Sequence, residues 1–442
     1  MFFSDTRLIC RGMIFVIVIG LLFRVFLGFM LEYNNDVTAW TQTLANIEAG
    51  AGLYNMAGYY YPPVWGYILG VFSEFIGFFG VDSWADIFPE LLFVEDFDDA
   101  TLSTPAFNIA LMILLTVSDF LAACGVYWIV DHLTGDMVKA KIGFTLFFIG
   151  LHVMFVCGCF GQFDSFSALM AVICVCLLLR GNDFMAGMMF ALAVLLKLFP
   201  AMFFFIFIAY ILVKGGERWK QRCGMAIAGG LIMAAVIMLP SILNGTVMDS
   251  MTFLTARAEG SGAGPADLLK YSSLIIYPII LILEILVARW FVRRHGEDID
   301  SSFVWFVFLS AVVIFLYPST PQYVILLTPF VIISAMVHDS RLVKPYLLLM
   351  AGSTLFMFPS LPMELGTVTF YNGLMDYDTW RSLYDIFYTG PFGLHNIIAL
   401  VAAVTQYLAI LWMGYLALES KGIDLRRKLQ KVIRLPSGQE QS

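Results

Sequence analysis

Apolar residues in this chain come in long, nearly unbroken runs, not in the alternation of a strand or the narrow stripe of a surface helix. The runs fall at roughly 9–30, 106–130, 142–160, 165–180, 184–199, 201–213, 223–243, 272–292, 303–318, 322–337, 344–361 and 392–417. A helix of ~17–25 apolar residues spans a hydrocarbon core of ~30 Å. The predicted fold class is therefore all-α: a polytopic transmembrane bundle of about twelve spans, with 1–442 forming one integral membrane domain. Several runs are short, and the break at Gly161-Gln162-Phe163-Asp164 is abrupt.

One further apolar stretch, 62–81, decides the topology, because counting it as a span moves every later loop to the other side. The basic residues arbitrate. If 62–81 does not cross and the N-terminus is cytoplasmic, 20 of the 25 Lys and Arg lie on the cytoplasmic side, six of them in the tail 418–442. Arg257, Lys270 and Arg381 then lie outside, and Arg24 and Lys197 lie within spans. Positive residues retained inside set orientation, so the non-spanning reading is preferred. Within 62–81, Gly66, Gly70, Ser73, Glu74 and Gly77 recur at helical spacing opposite Trp65, Ile68, Leu69, Phe72, Phe75, Ile76 and Phe79. That pattern predicts a helix lying in the interface or against the protein. Over 36–49, Val37, Trp40, Leu44 and Ile47 form an apolar edge that Asn34 or Asn35 would cap. The first outer loop, 31–105, is thus expected to hold two membrane-lying helices. Its acidic stretch, Glu95 to Asp99, reads as solvated loop, with a cation site the lesser alternative.

Composition sharpens this picture. Hydrophobic residues make up 60% of the chain and charged residues 13%, and mean hydropathy is +0.85. A soluble domain carries about 25% charged residues, so the chain lacks the solvating charge of one. The net charge of −8 gives no footprint for nucleic acid. Arg7 and Arg11 precede an apolar run too long for a signal-peptide core, so a retained first span is expected. Cys124, Cys157, Cys159, Cys174 and Cys176 sit in apolar runs and read as small buried residues, with no disulfide frame and no metal site.

Cytoplasmic loops are short and basic, and no phosphate-cradling glycine loop occurs. Loops large enough to build a site, 31–105, 244–271 and 362–391, face outward. An enzyme of this plan works at the exoplasmic surface, on donors that arrive through the membrane. Asp36 follows the first span and is either a general base or an acidic residue placed in a first helical turn by the dipole. Asp164 is either functional or a helix cap. Lys197 lies near the outer end of its span, where it either snorkels or pairs with a phosphate or an Asp. Arg257, beside Gly260 and Gly262, is either a bidentate phosphate ligand or a surface charge opposite Glu259. Asp119, His152 and Glu284 fall mid-span and read as structural. Arg24 is the nearest counterion for Asp119, but ~1.5 Å of rise per residue leaves about 10 Å between them in depth, so no pair is predicted.

Taken in order, several segments resemble the GT-C glycosyltransferases, membrane enzymes that use polyprenyl-phosphate sugars. They are Asp36; Gly52-Leu53-Tyr54; Tyr60-Tyr61-Pro62-Pro63; Gly161 to Ser165; Lys197-Leu198-Phe199-Pro200; and Thr320-Pro321-Gln322-Tyr323. The Tyr-Pro-Pro and Pro-Gln-Tyr pieces are most similar to the mannosyltransferase branches. The resemblance covers about 10–340 and implies transfer of a sugar, mannose preferred, to a lipid-linked or glycan acceptor by single displacement. It implies Asp36 as base and Lys197 and Arg257 as donor-phosphate ligands. Asp164, Gln162, Tyr61 and Gln322 are implied as substrate-binding residues, with Asp164 a second carboxylate. Some members carry Asp-x-Asp where this chain has Asn34-Asn35-Asp36, and the reading calls for no metal and no cofactor. Partners are the donor, the acceptor and membrane lipid. The implied location is a prokaryotic plasma membrane, with an endoplasmic-reticulum membrane as alternative. A transporter or flippase using Asp119, His152 and Glu284 as a proton path is the rival, although no internal repeat supports it.

Overall fold

The computed structural model describes residues 10–50, 52–54, 59, 61–81, 85–87, 101–249, 265–316, 321–366, 368–369, 372–389 and 393–423. Arg257, Tyr60 and the acidic stretch 95–99 lie outside these. The first helices are α1 (Arg11–Met30), α2 (Asn34–Glu48) and α3 (Pro63–Phe78). A short antiparallel ribbon follows, β1 (Ala85–Ile87) against β2 (Thr101–Ser103), which apolar periodicity did not predict. Then come α4 (Pro105–Thr134), α5 (Met137–Phe148), α6 (Leu151–Gly158), α7 (Asp164–Leu179), α8 (Asp183–Leu196), α9 (Phe204–Gly215) and α10 (Trp219–Leu243). The chain continues through α11 (Pro265–Arg294), α12 (Ile299–Ile314), α13 (Thr328–Val337), α14 (Val343–Leu355), α15 (Leu361–Glu364), α16 (Tyr377–Tyr388) and α17 (Leu394–Ser420).

Within the described residues, each apolar run read from the sequence falls mostly on helix. Among the described residues, α1, α4, α17 and the 45-residue stretch Phe199–Leu243 are long and apolar enough to cross a membrane. Forty-five residues at ~1.5 Å each would measure about 70 Å, twice a bilayer core. The stretch divides at Gly216, whose φ of 51° lies in the left-handed region. The run at 142–160 is not one straight helix: α5 and α6 meet at a 43° bend. There the Tyr346 hydroxyl donates to the Leu146 carbonyl at 2.6 Å, and a side chain on Gly150 would crowd the Leu146 and Phe147 oxygens.

The outer-loop helices differ in detail from expectation. Neither Asn34 nor Asn35 caps α2; Tyr33 is the N-cap, and both Asn lie inside the first turn. Val37, Trp40 and Leu44 are buried as the edge predicted. On α3, Trp65, Leu69, Phe72 and Ile76 pack inward, while Val71, Phe75, Phe78 and Phe79 are exposed. Gly66 belongs to the packed face: a Cβ there would meet Leu53 at 2.4 Å. The helix therefore has apolar residues on two faces, and its glycines do not form one outward stripe.

Buried polar contacts fasten the elements. Glu32 accepts from the Ser103 amide at 2.9 Å and the Asn108 side chain at 3.0 Å, and Tyr33 N–H donates to the Cys159 carbonyl at 2.9 Å. These bonds hold the entry to α2 against β2, α4 and the end of α6. Arg24 and Asp119 do pair, at 2.9 Å and with both side chains fully buried. Counting depth along ideal vertical helices missed this, because a long Arg side chain reaches well beyond its own Cα. Ser310 hydrogen-bonds the buried Glu284. Cys124, Cys157, Cys159, Cys174 and Cys176 are all buried. Helices α8 and α10 cross at glycines: a Cβ on Gly187 would lie 1.9 Å from the Ala226 oxygen, and one on Gly229 would lie 2.0 Å from the Phe184 oxygen.

Candidate active site

Four segments far apart in sequence converge beside the start of α2. Asp36 stands in its first turn. Gly161, with φ of 58°, turns the chain from α6 into α7, and a Cβ there would crowd Val37 at 2.9 Å. Its carbonyl accepts the Trp40 indole N–H at 3.0 Å. Because Trp40 lies one turn beyond Asp36 on α2, this bond ties the carboxylate-bearing helix to the Gly161–Asp164 turn. Trp65 stacks on Phe163 at 4.8 Å, and Trp40 meets both rings edge-on at 5.7 and 5.5 Å. An aromatic floor of this kind is large, rigid and dry.

Lys197 is the C-cap of α8, with φ −144° and ψ 140°, and Pro200 prevents the helix from continuing. The extended backbone turns its side chain out of the helical line and into the cluster. Its Nζ lies 3.4 Å from Asp164 Oδ2. Three rings surround it: Phe163 at 4.3 Å, Tyr61 at 4.5 Å and Tyr323 at 5.0 Å from Nζ to centroid. Cation–π attraction of this kind strengthens as water is excluded, and Lys197, Asp164 and Gln162 are all buried. The Lys neither snorkels nor faces lipid.

Asp36 is partly exposed, whereas Tyr61, Gln162, Asp164 and Lys197 are buried. Loss of water around it pushes its carboxyl up to about 6, against the pull of Lys197 and of a hydrogen bond donated by Gln162, with nearby Asp164 adding to the rise. The group is thus mostly ionised at neutral pH, yet far more basic than an ordinary carboxylate. A cation, an acid with raised pKa and a second carboxylate within electrostatic reach of one another form an arrangement suited to moving a proton beside a developing negative charge.

Asp36, Tyr61, Gln162, Asp164 and Lys197, each singled out from the sequence, are brought together. Gln322 lies at the edge of the group, half-buried in the 3-10 turn Pro321–Leu326, while its neighbour Tyr323 supplies the ring. Phe163 and Tyr323 were missed as site residues although both lie inside the quoted motifs; a cage of ring faces leaves no spacing signal. Trp40 read only as part of an apolar edge. Arg257 lies outside the described residues.

Residues 100–316 match the sequence model of glycosyltransferase family 87. The chain is a membrane glycosyltransferase, similar over that region to a family of the GT-C type. No curated protein matches it. The matched region of this glycosyltransferase includes Gln162, Asp164 and Lys197; Asp36, Tyr61 and Gln322 lie on either side of it and join the group only through the fold. Among the described residues, no three His, Cys, Asp or Glu side chains are grouped so that they could hold a metal ion.

Proposed function

We propose that the enzyme transfers a hexose, mannose preferred, from a polyprenyl-phosphate donor to a hydroxyl of a lipid-linked or glycan acceptor. In this reading the chain crosses the membrane about twelve times, α2 and α3 lie along the outer interface, and the site opens on the exoplasmic face. Asp36 accepts the proton of the acceptor hydroxyl as that oxygen attacks the anomeric carbon. The bond to the polyprenyl phosphate breaks on the opposite side, so the configuration inverts. Lys197, with Arg257, balances the charge of the departing phosphate. Gln162 holds the Asp36 carboxylate by a hydrogen bond, and Asp164 holds Lys197.

The observation that carries this reading is a partly exposed carboxylate with a raised pKa, electrostatically coupled to a Lys caged by aromatic rings. Base and cation thus serve the two ends of one displacement. A transporter would need a titrating path, but mid-span Asp119 is locked to Arg24. The test is a screen of purified protein against polyprenyl-phosphate sugars. Consumption of a donor only when acceptor is present supports transfer; movement of lipid without product supports transport.

A further inference from the structure

A cavity of about 220 Å³ opens against α3. A single water takes ~10–15 Å³ in the same measure, so the space admits a ring-sized ligand. Its walls come from the loop after α2, from α3 and from the end of α10, and they include Tyr54, Tyr67, Ser241, Asn244 and Thr246. The Tyr67 hydroxyl donates to the Ile237 carbonyl at 3.3 Å and hydrogen-bonds with Ser241, fixing that wall. Asn244 is exposed and Thr246 half-buried, so an amide and a hydroxyl mark the outer part.

The cavity is joined to the reacting group by one residue. The Tyr54 hydroxyl donates to the Tyr61 carbonyl at 2.9 Å, and the Tyr61 ring is one face of the Lys197 cage. A ligand against Tyr54 therefore sits one residue away from the donor-phosphate cation. Among the described residues no charged side chain lines the cavity, and burial, then Tyr67, then the negative charge of Asp249 disfavour an anion at the Tyr54 hydroxyl. A phosphate here would meet no cation among the described wall residues and would feel the negative charge of Asp249. Tyrosine rings that offer an apolar face and a polar tip, together with an amide and two hydroxyls, match an uncharged ring whose C–H faces alternate with hydroxyls.

We propose that this cavity binds a neutral sugar ring of the acceptor, holding the acceptor while its reacting hydroxyl reaches Asp36. The inference rests on the reading of Asp36 as the acceptor's base, and the test separates the two. Purified full-length protein in a non-glycosidic detergent is photolabelled with a diazirine-bearing octyl α-mannoside, with the sugar-free diazirine alcohol as control. Labelled residues are mapped by mass spectrometry in the wild type and in Asp36→Asn. The expected result is labelling within 52–67 and 237–246 by the mannoside alone, suppressed by excess methyl α-mannoside and unchanged in Asp36→Asn. Filling the cavity with Ser241→Trp should abolish it. Should that variant misfold, Asn244→Ala, at an exposed position, should weaken the protection by methyl α-mannoside about tenfold or less, as the loss of one hydrogen bond does. Equal labelling by the sugar-free probe, labelling elsewhere, or no protection by the free glycoside overturns the proposal. Normal transfer by Asp36→Asn would instead remove the base assignment and leave the labelling result standing.

Discussion

Asp36 combines two demands that oppose one another, since a carboxylate in a drying site must stay ionised to accept a proton. Its carboxyl at about 6 meets both at neutral pH. Asp36→Asn keeps the shape and removes the proposed base, so transfer should slow by about 100-fold or more, measured as kcat with saturating donor and acceptor. The wild-type pH profile follows with its sign. Below about 6 the carboxyl holds a proton and cannot take another, so kcat/KM should fall about tenfold per pH unit there and level off above it. In Asp36→Asn that limb should be missing. Stability runs the other way: between the unfolded value of 3.8 and about 6 the folded chain holds a proton that the unfolded chain releases. Stability therefore falls as pH rises through this window, and Asp36→Asn should melt no lower than wild type at pH 7. Lys197→Met tests the cation while keeping length. Loss of a charge-assisted contact to phosphate should cut kcat/KM for the donor about 10- to 100-fold, and normal donor kinetics would make the caged Lys purely structural.

Elements hold these side chains in register, and two contacts at this scale carry predictions. Gly187 and Gly229 let α8 and α10 cross with backbone nearly touching backbone. Gly187→Val would force the helices apart, and since Lys197 ends α8, melting temperature and donor use should fall together. A variant that melts early yet keeps donor kinetics would separate the crossing from the site. The Arg24–Asp119 pair fastens α1 to α4 in a fully buried setting. Arg24→Met alone strands a charge and should cost about 3–5 kcal/mol, whereas Arg24→Met with Asp119→Leu should recover most of it. Thermal unfolding in detergent reads both. Recovery would mark the pair as a fastener; continued loss of activity in the stable double variant would mark it as part of the chemistry.

For the molecule as a whole, the consequential claim is orientation. Moving 62–81 across the membrane would invert every later loop and send Asp36 and Lys197 to opposite sides. The structure brings Asp36 within electrostatic reach of Lys197, so both belong to one face. A cysteine placed near Asp98 should be labelled by an impermeant reagent from outside intact cells. Labelling only after the cytoplasmic side is opened would overturn the outward-facing site. The tail 418–442, proposed to be cytoplasmic, should show the reverse accessibility.

Hydrophobic run length settled the class of this protein from its sequence, because backbone in lipid must satisfy itself as helix wherever side chains are apolar for long enough. Basic-residue placement likewise set the proposed orientation, since that preference acts on loops one at a time. Lys197 was visible as an expensive exception inside an apolar run, and Asp36 and Asp164 as acidic residues at the borders of such runs. Their partnership was not. Whether Lys197 snorkels or turns inward depends on Phe163, Tyr61 and Tyr323, which reach it from three other segments. Sequence spacing carries no trace of such contacts, two of which, to Tyr61 and Tyr323, are made across more than a hundred residues. The ribbon between β1 and β2 was hidden for a related reason: three-residue strands have too few positions to show a period. Arg24 and Asp119 show the limit most directly, since ideal helix rise kept them apart and the packed helices join them. Local chemistry determines which residues cannot be ordinary; tertiary packing alone decides which neighbours make them useful, because distance in space is set by how the helices cross.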